Sequence, residues 1–384
     1  MHEVKAFLCG YFTRCYQADF GMMEEQGWVR RQPSKEQIAG LKRVYYREFV
    51  DFCFADALSR RGCVELRREV NEPIAFATKC GDVQLMVDDL SLYLMPMDVT
   101  LLKIGISLVV DDLNKATAAI GSLRMVDYYT PQTHGEFMRL GVEPLLEQCR
   151  ALTGSDAQLA SALVEQGNKF RVFQIVNSCA PHEADGQSGL NDVTLYQLGT
   201  MSKVTDGNLE GSGVSRVYLE KVLAESHVSV FDSWHALALN DTFTVHAIDL
   251  PPKMIERWCD CYFGMIYLHS LMVKSFLFGL NAQLREAMHE TPTALNQLGT
   301  AFGLSHAPLR VLARRFEEFE RRCCFHKVSY NFLPLLLDEA IDKGLCIAEE
   351  KEQLFGVLDK EKSLRDAAND RLVNGLLFVL SLLT

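Results

Sequence analysis

The residues able to do chemistry in this 384-residue chain are scattered rather than gathered in one motif. Cys323, Cys324 and His326 come nearest to a metal-ligand group, because Cys323 and His326, three apart, share one face of a helix. A structural zinc site uses four ligands, usually as two spaced pairs, and no second pair is evident, so these read as ordinary thiols. Cys259 and Cys261, two apart, diverge on a helix and are read the same way. The stretch "VFDSWHALALNDTFTVH" is richer, and its Asp232, Trp234, His235 and Asp241 are candidates to line a ligand- or ion-sensing pocket. The competing reading places Trp234 and Phe243 in the core, with Asp232 capping a helix and Asp241 ending it. There is no phosphate-binding loop, no Gly-x-Gly-x-x-Gly, no His-Glu-x-x-His and no Gly-x-Ser-x-Gly, so we do not expect an enzyme.

Composition narrows the class. Hydrophobic residues make up 48% and charged residues 23%, ordinary values for a globular chain. A net charge of −11 argues against direct nucleic-acid binding, which depends on a basic surface that releases counterions from phosphates. It suits a protein that handles cations. The 12 cysteines follow no secretory leader and are expected as reduced thiols facing the cytosol.

The elements that must position these residues follow from periodicity. "VKAFLC" reads as a strand, Leu41 to Leu58 as a helix, and "VQLMVDDLSLYLMPMDVTLLKIGISLVV" as strands joined by a turn at Met95 to Asp98. "DDLNKATAAIGSLR" continues as a helix. "KFRVFQIVNSC" and "VTLYQLGTM" then read as two more strands, giving a mixed or antiparallel sheet with helices on one side, an α+β fold. From Ser215 onward the pattern is almost wholly helical. It includes a continuous helix of about 35 residues from Met254 to Met288, too interrupted by charge for a bilayer span. We therefore expect an α/β regulatory domain over 1–214, a helical domain with a long stalk helix over 215–371, and a distinct segment over 372–384.

That last segment is the strongest signal. A long charged helix begins near Cys346 and carries Leu354, Leu358, Leu364, Ala368 and Leu372 along one stripe. After Arg371 the charges cease, and nine of the thirteen residues from Leu372 to Thr384 are Leu, Val or Phe. A helix apolar on every side is buried in protein or in lipid. Thirteen residues reach about 20 Å, against about 30 Å for the hydrocarbon core, so the run reads as the start of a membrane span.

A mixed α/β domain, long helices and a final helix ending in "NGLLFVLSLLT" resemble the cytoplasmic part of CorA-type magnesium transporters. The resemblance implies a homopentameric membrane channel for Mg²⁺ or other divalent cations, in contact with lipid, with its cytoplasmic region beneath an inner or plasma membrane. It also implies pore-facing roles for Asn374 at the cytoplasmic mouth, Leu377 at a hydrophobic constriction, and Leu380 and Ser381 one level further. Some CorA-like proteins are membrane effectors of type III CRISPR defence gated by a nucleotide messenger, and a divergent N-terminal region is similar to that branch. The alternative is a soluble α+β regulatory or ligand-binding protein whose C-terminal helix ends in an oligomerisation bundle.

Overall fold

The computed structural model describes residues 1–13, 27–54, 62–153, 169–179, 190–205, 207–209, 214–289, 307–360, 363, 370, 373 and 374. Within them the chain divides into two units, one of Met1–Met272 with Phe325–Leu345, the other of Val273–Cys324 with Cys346–Thr384.

The first unit is built on a nine-stranded mixed sheet in the order β2-β3-β4-β5-β1-β6-β9-β8-β7. Its long strands are β1 (His2–Thr13), β3 (Val64–Thr78), β4 (Gly81–Met95) and β5 (Val99–Val110), with β2 (Val29–Arg30) at one edge. Beyond β1 come β6 (Arg171–Ser178), β9 (Thr242–Ile248), β8 (Trp234–Ala238) and β7 (His227–Phe231). Neighbours are antiparallel except for the β6–β9 pair. The expected α+β class and the Pro96–Asp98 turn between β4 and β5 are both present.

β1 shows why the core has two halves. Val4, Ala6 and Leu8 point to one face, Phe7, Cys9 and Tyr11 to the other, and all six are buried, as a central strand covered on both sides requires. On the first face lie α3 (Leu113–Leu123), α4 (Pro131–Phe137) and α5 (Glu143–Thr153). Ala116, Ala119, Ile120 and Phe137 pack there against Leu102, Ile104 and Val172. On the second face Phe7, Phe173 and Phe243 stack in a row at 5.5 and 5.4 Å across β1, β6 and β9. Tyr267 lies 5.6 Å from Phe243. Helices therefore cover both faces, not one, because β1, β6 and β9 are apolar on both sides.

Several elements differ from the sequence reading. "VTLYQLGTM" is not a strand but α6 (Asp192–Thr200), where the Asn191 side chain accepts from the Val193 N–H at 2.8 Å and starts a helix that alternation alone would miss. The chain after Ser215 is not all helical. α7 (Arg216–Ser226) leads straight into β7, β8 and β9, which complete the same sheet. Leu41–Leu58 is not one helix. α1 (Lys35–Leu41) and α2 (Arg47–Cys53) are separated by Tyr45, which bridges to Ser329. The long helix is likewise broken, into α8 (Pro252–Cys261) and α9 (Phe263–His289). The hinge is Tyr262, and a side chain at Gly264 would sit 1.8 Å from the Cys259 carbonyl. The helical stretch Pro252–Ala287 is long and apolar enough to cross a membrane by length and composition, yet 83% of its most apolar window is buried, as in a core helix.

The remaining helix of the first unit, α11 (Phe332–Gly344), follows α10 (Ala307–Cys323) in the chain. On it burial, with repulsion from Asp342, raises the Asp338 carboxyl to about 8. The folded chain thus holds this proton up to about pH 8, while the unfolded chain releases it near 3.8. Its stabilisation is full below that lower value and is lost as pH rises through the window. Asp338→Asn is expected to flatten this decline and to be more stable than the parent by about 2 kcal/mol at pH 8. Urea midpoints between pH 5 and 8.5 check this, and parallel curves for the two proteins would contradict it.

In the second unit Phe276 and Phe319 stack at 4.0 Å, and Arg315 donates to Gln283 at 3.0 Å. The Lys274 ammonium, nearly buried, meets Glu350 at 2.5 Å. Residues 347–360 form the expected helix with Leu354 and Leu358 buried. On α10, Arg322 pairs with Glu318 one turn earlier at 2.7 Å.

Candidate metal centre

A row of histidines crosses the first face of the sheet. His2 on β1 lies opposite Ser178 on β6, and His246 on β9 lies opposite His235 on β8. On β7, His227 lies opposite Leu237 and therefore shares its face with His235, two residues before Leu237. The Ser178 hydroxyl contacts both His2 Nδ1 at 2.7 Å and His246 Nε2 at 3.0 Å. Burial, with His2 and His235 nearby, pushes the His246 imidazole down to about 4. Among the described residues, the buried His246 Nδ1 has no hydrogen-bond partner. This ring is therefore neutral at physiological pH, the form in which an imidazole offers a lone pair.

The far end of the row carries the candidate site. Among the described residues, Asp192, His227 and His235 each bring one ligand atom to within 4.8 Å of the others. Asp192 Oδ1 lies 3.3 Å from His235 Nδ1 and 3.5 Å from His227 Nε2. Ser229 Oγ meets His235 Nε2 at 3.0 Å, which fixes the ring orientation. His227 Nε2 is buried with no hydrogen bond from the described residues, and burial, opposed by Asp192 and reinforced by His235, lowers its pKa.

Each ligand is placed by a specific device. Asp192 opens α6, where a carboxylate is favoured by the helix dipole. α6 is held on β8 and β9 by Leu195 and Tyr196, which pack with Leu219 and Leu237, and by the Thr242 hydroxyl donating to the Gly199 carbonyl at 2.6 Å. His227 is the residue at which α7 becomes β7, so the end of that helix sets its position. The two histidine side chains are mostly covered, at 13% and 18% exposure, while Asp192 is 45% exposed and keeps the site open to solvent.

The residues expected from the sequence to sense a ligand do not converge. Asp232 is exposed in the β7–β8 turn, at the opposite end of β8 from Asp241. Neither caps or ends a helix, because both lie in strand connections. Asp241 pairs with Lys169, and its carbonyl accepts from the Val172 N–H at 2.9 Å. Trp234 faces away from His235 into the second core, against Trp258, Phe263 and Phe231. His235 alone of that stretch joins the centre. Its partners were hidden, since Asp192 lies 43 residues earlier and only the sheet topology joins them. The thiols do not contribute either. Cys323 and Cys259 are buried, and burial pushes both up to about 12. Of the pore-facing candidates, Asn374 is helical and exposed. Leu377, Leu380 and Ser381 lie outside the described residues.

A second charged group sits on the other face. Lys103, 6% exposed, lies 3.7 Å from Asp89, which accepts from Arg67 at 2.9 Å. Arg31 joins Asp260 at 2.8 Å to Glu65 at 3.4 Å, and Tyr93 donates to Glu65 at 3.1 Å. Burial alone would raise Asp89, but Lys103 and Arg67 hold it below the usual carboxylate range. This network ties α8 to β3, β4 and β5. It borders a cleft with about 410 Å³ of atom-free space lined by Phe52, Cys53, Cys63 and His269. Burial raises both thiols there, so neither is a nucleophile.

Comparisons of the chain with protein-family models, with curated proteins and with solved structures return no match.

Proposed function

We propose that this chain is the cytoplasmic portion of a CorA-like homopentameric channel for Mg²⁺ or another divalent cation, at an inner or plasma membrane. One observation carries the reading. Val373 and Asn374, near the start of the uncharged run, are helical, and Val373 is 51% exposed. An uncharged run that opens on exposed helical residues needs a partner for its apolar surface, and lipid with further copies of the run would supply one. In such a pentamer a ring of Asn374 amides would hold a hydrated cation, which suits Mg²⁺ because it gives up water reluctantly. A ring of Leu377 would close the path by resisting wetting. A ligand of the α+β unit would move this gate only by binding its open and closed forms with different affinity.

The test is flux. The full-length protein reconstituted in liposomes is expected to pass Mg²⁺, and Asn374→Leu to lower the rate about tenfold or more by removing the polar ring. Absence of flux for any of Mg²⁺, Co²⁺ and Ni²⁺, with a detergent-free monomer or dimer in solution, would favour the soluble regulatory protein instead.

A further inference from the structure

We propose that Asp192, His227 and His235 bind a divalent transition cation of the zinc type, and not Mg²⁺. The inference goes beyond the channel reading and does not depend on it, since it concerns binding to the α+β unit alone.

The donor set decides the metal class. Two imidazole nitrogens and one carboxylate oxygen suit zinc, cobalt and nickel, whereas Mg²⁺ takes oxygen ligands and keeps its waters. The spacing agrees. Bonds of about 2.0–2.1 Å in tetrahedral geometry place neighbouring ligand atoms about 3.3–3.4 Å apart. Asp192 Oδ1 stands 3.3 and 3.5 Å from the two imidazole nitrogens, which matches this spacing, and all three ligand atoms lie within 4.8 Å of one another, so a cation would draw the two rings together between them. His235 Nδ1 hydrogen-bonds Asp192 Oδ1 at 3.3 Å, a contact the cation would replace, whereas His227 Nε2 is buried and makes no hydrogen bond among the described residues.

The supporting shell has the form that metal histidines use. With His235 Nδ1 on the metal, Nε2–H donates to Ser229 Oγ at 3.0 Å, which fixes tautomer and ring plane. Three protein ligands leave at least one position for water or for an oxygen of a bound ligand. The exposure of Asp192 provides the access. The ligands also come from three elements, the start of α6, the α7–β7 junction and β8. A bound cation would therefore cross-link two helices and the sheet edge, and is expected to stabilise the unit.

The experiment uses the full chain stripped of metal with chelator and kept reduced, with Zn²⁺, Co²⁺ and Mg²⁺ as the probes. One equivalent of Zn²⁺ is expected to bind and raise the midpoint of thermal unfolding, and Mg²⁺ at a hundredfold excess is not expected to displace it. Asp192→Asn and His235→Gln, close in shape to the parent residues, should each weaken Zn²⁺ binding at least tenfold. Ser229→Ala should weaken it through His235 alone. Co²⁺ supplies a readout that survives a poorly folding variant: the parent should give ligand-field bands of nitrogen and oxygen ligation without sulfur charge transfer. Thiolate bands, displacement by Mg²⁺, or unchanged affinity in both the Asp192 and His235 variants would overturn the proposal. Loss of this site with flux intact would leave the channel reading standing, and the reverse result would leave the site standing.

Discussion

Replacing Asp89 by alanine is expected to cost the first unit about 3–5 kcal/mol. Asp89 is 2% exposed, and it is the anion that Lys103 and Arg67 share. Its place depends on two local features. The β4–β5 register shifts between Val87 and Asp89, and Gly105 opposite leaves the room, since a Cβ there would lie 3.0 Å from the carboxylate. Removing the carboxylate strands the Lys103 ammonium between the Phe7 and Tyr93 rings, 4.9 and 5.6 Å away. Those ring faces return only part of what hydration would give a buried charge. Urea unfolding followed by tryptophan fluorescence checks this, because all three tryptophans, Trp28, Trp234 and Trp258, belong to this unit. Asp89→Ala with Lys103→Met should recover most of the loss, because the buried ammonium is then gone and the partly exposed Arg67 keeps Asp260 at 4.0 Å. A single variant within 1 kcal/mol of the parent would mean that water reaches Lys103 and the network is not buried.

The second large effect is at Trp234. It is 3% exposed and lies 5.3 Å from the Trp258 ring and 5.4 Å from Phe263, so Trp234→Ala opens a cavity at the centre of the second core. A loss of about 3–5 kcal/mol is expected. The adjacent His235 faces the other side of β8, so the folded fraction of the variant should still bind Zn²⁺. A stable variant with a defective metal site would reverse both assignments and return Trp234 to a ligand-lining role.

The sheet was readable where local chemistry and burial agree. β1, β4, β5 and β6 alternate or run apolar. Met95 to Asp98 supplies a turn, and Asp112 caps α3 by accepting from the Asn114 N–H at 2.8 Å. The misreadings have physical causes. β7, β8 and β9 are short, and they turn at Asp232-Ser233 and Asn240-Asp241 without the glycine that usually marks a hairpin. Their apolar run therefore resembled a buried helix. α6 reads as alternating, but both its polar and its apolar residues are buried: Thr194 and Gln197 are covered along with Leu195 and Leu198, and the Gln197 amide donates to Thr205 Oγ1 at 2.8 Å. The metal centre was less legible still. His235 stood out in its stretch, whereas Asp192 and His227 become its neighbours only through the β7–β8 pairing and the packing of α6.

The channel reading is tested most directly by the native mass of the full-length protein extracted from membranes in mild detergent. Five copies per particle, with the protein in the membrane fraction, is the predicted result. A monomer or dimer that stays in solution without detergent would contradict it, and the exposed start of the run at Val373 would then be a contact within a soluble assembly.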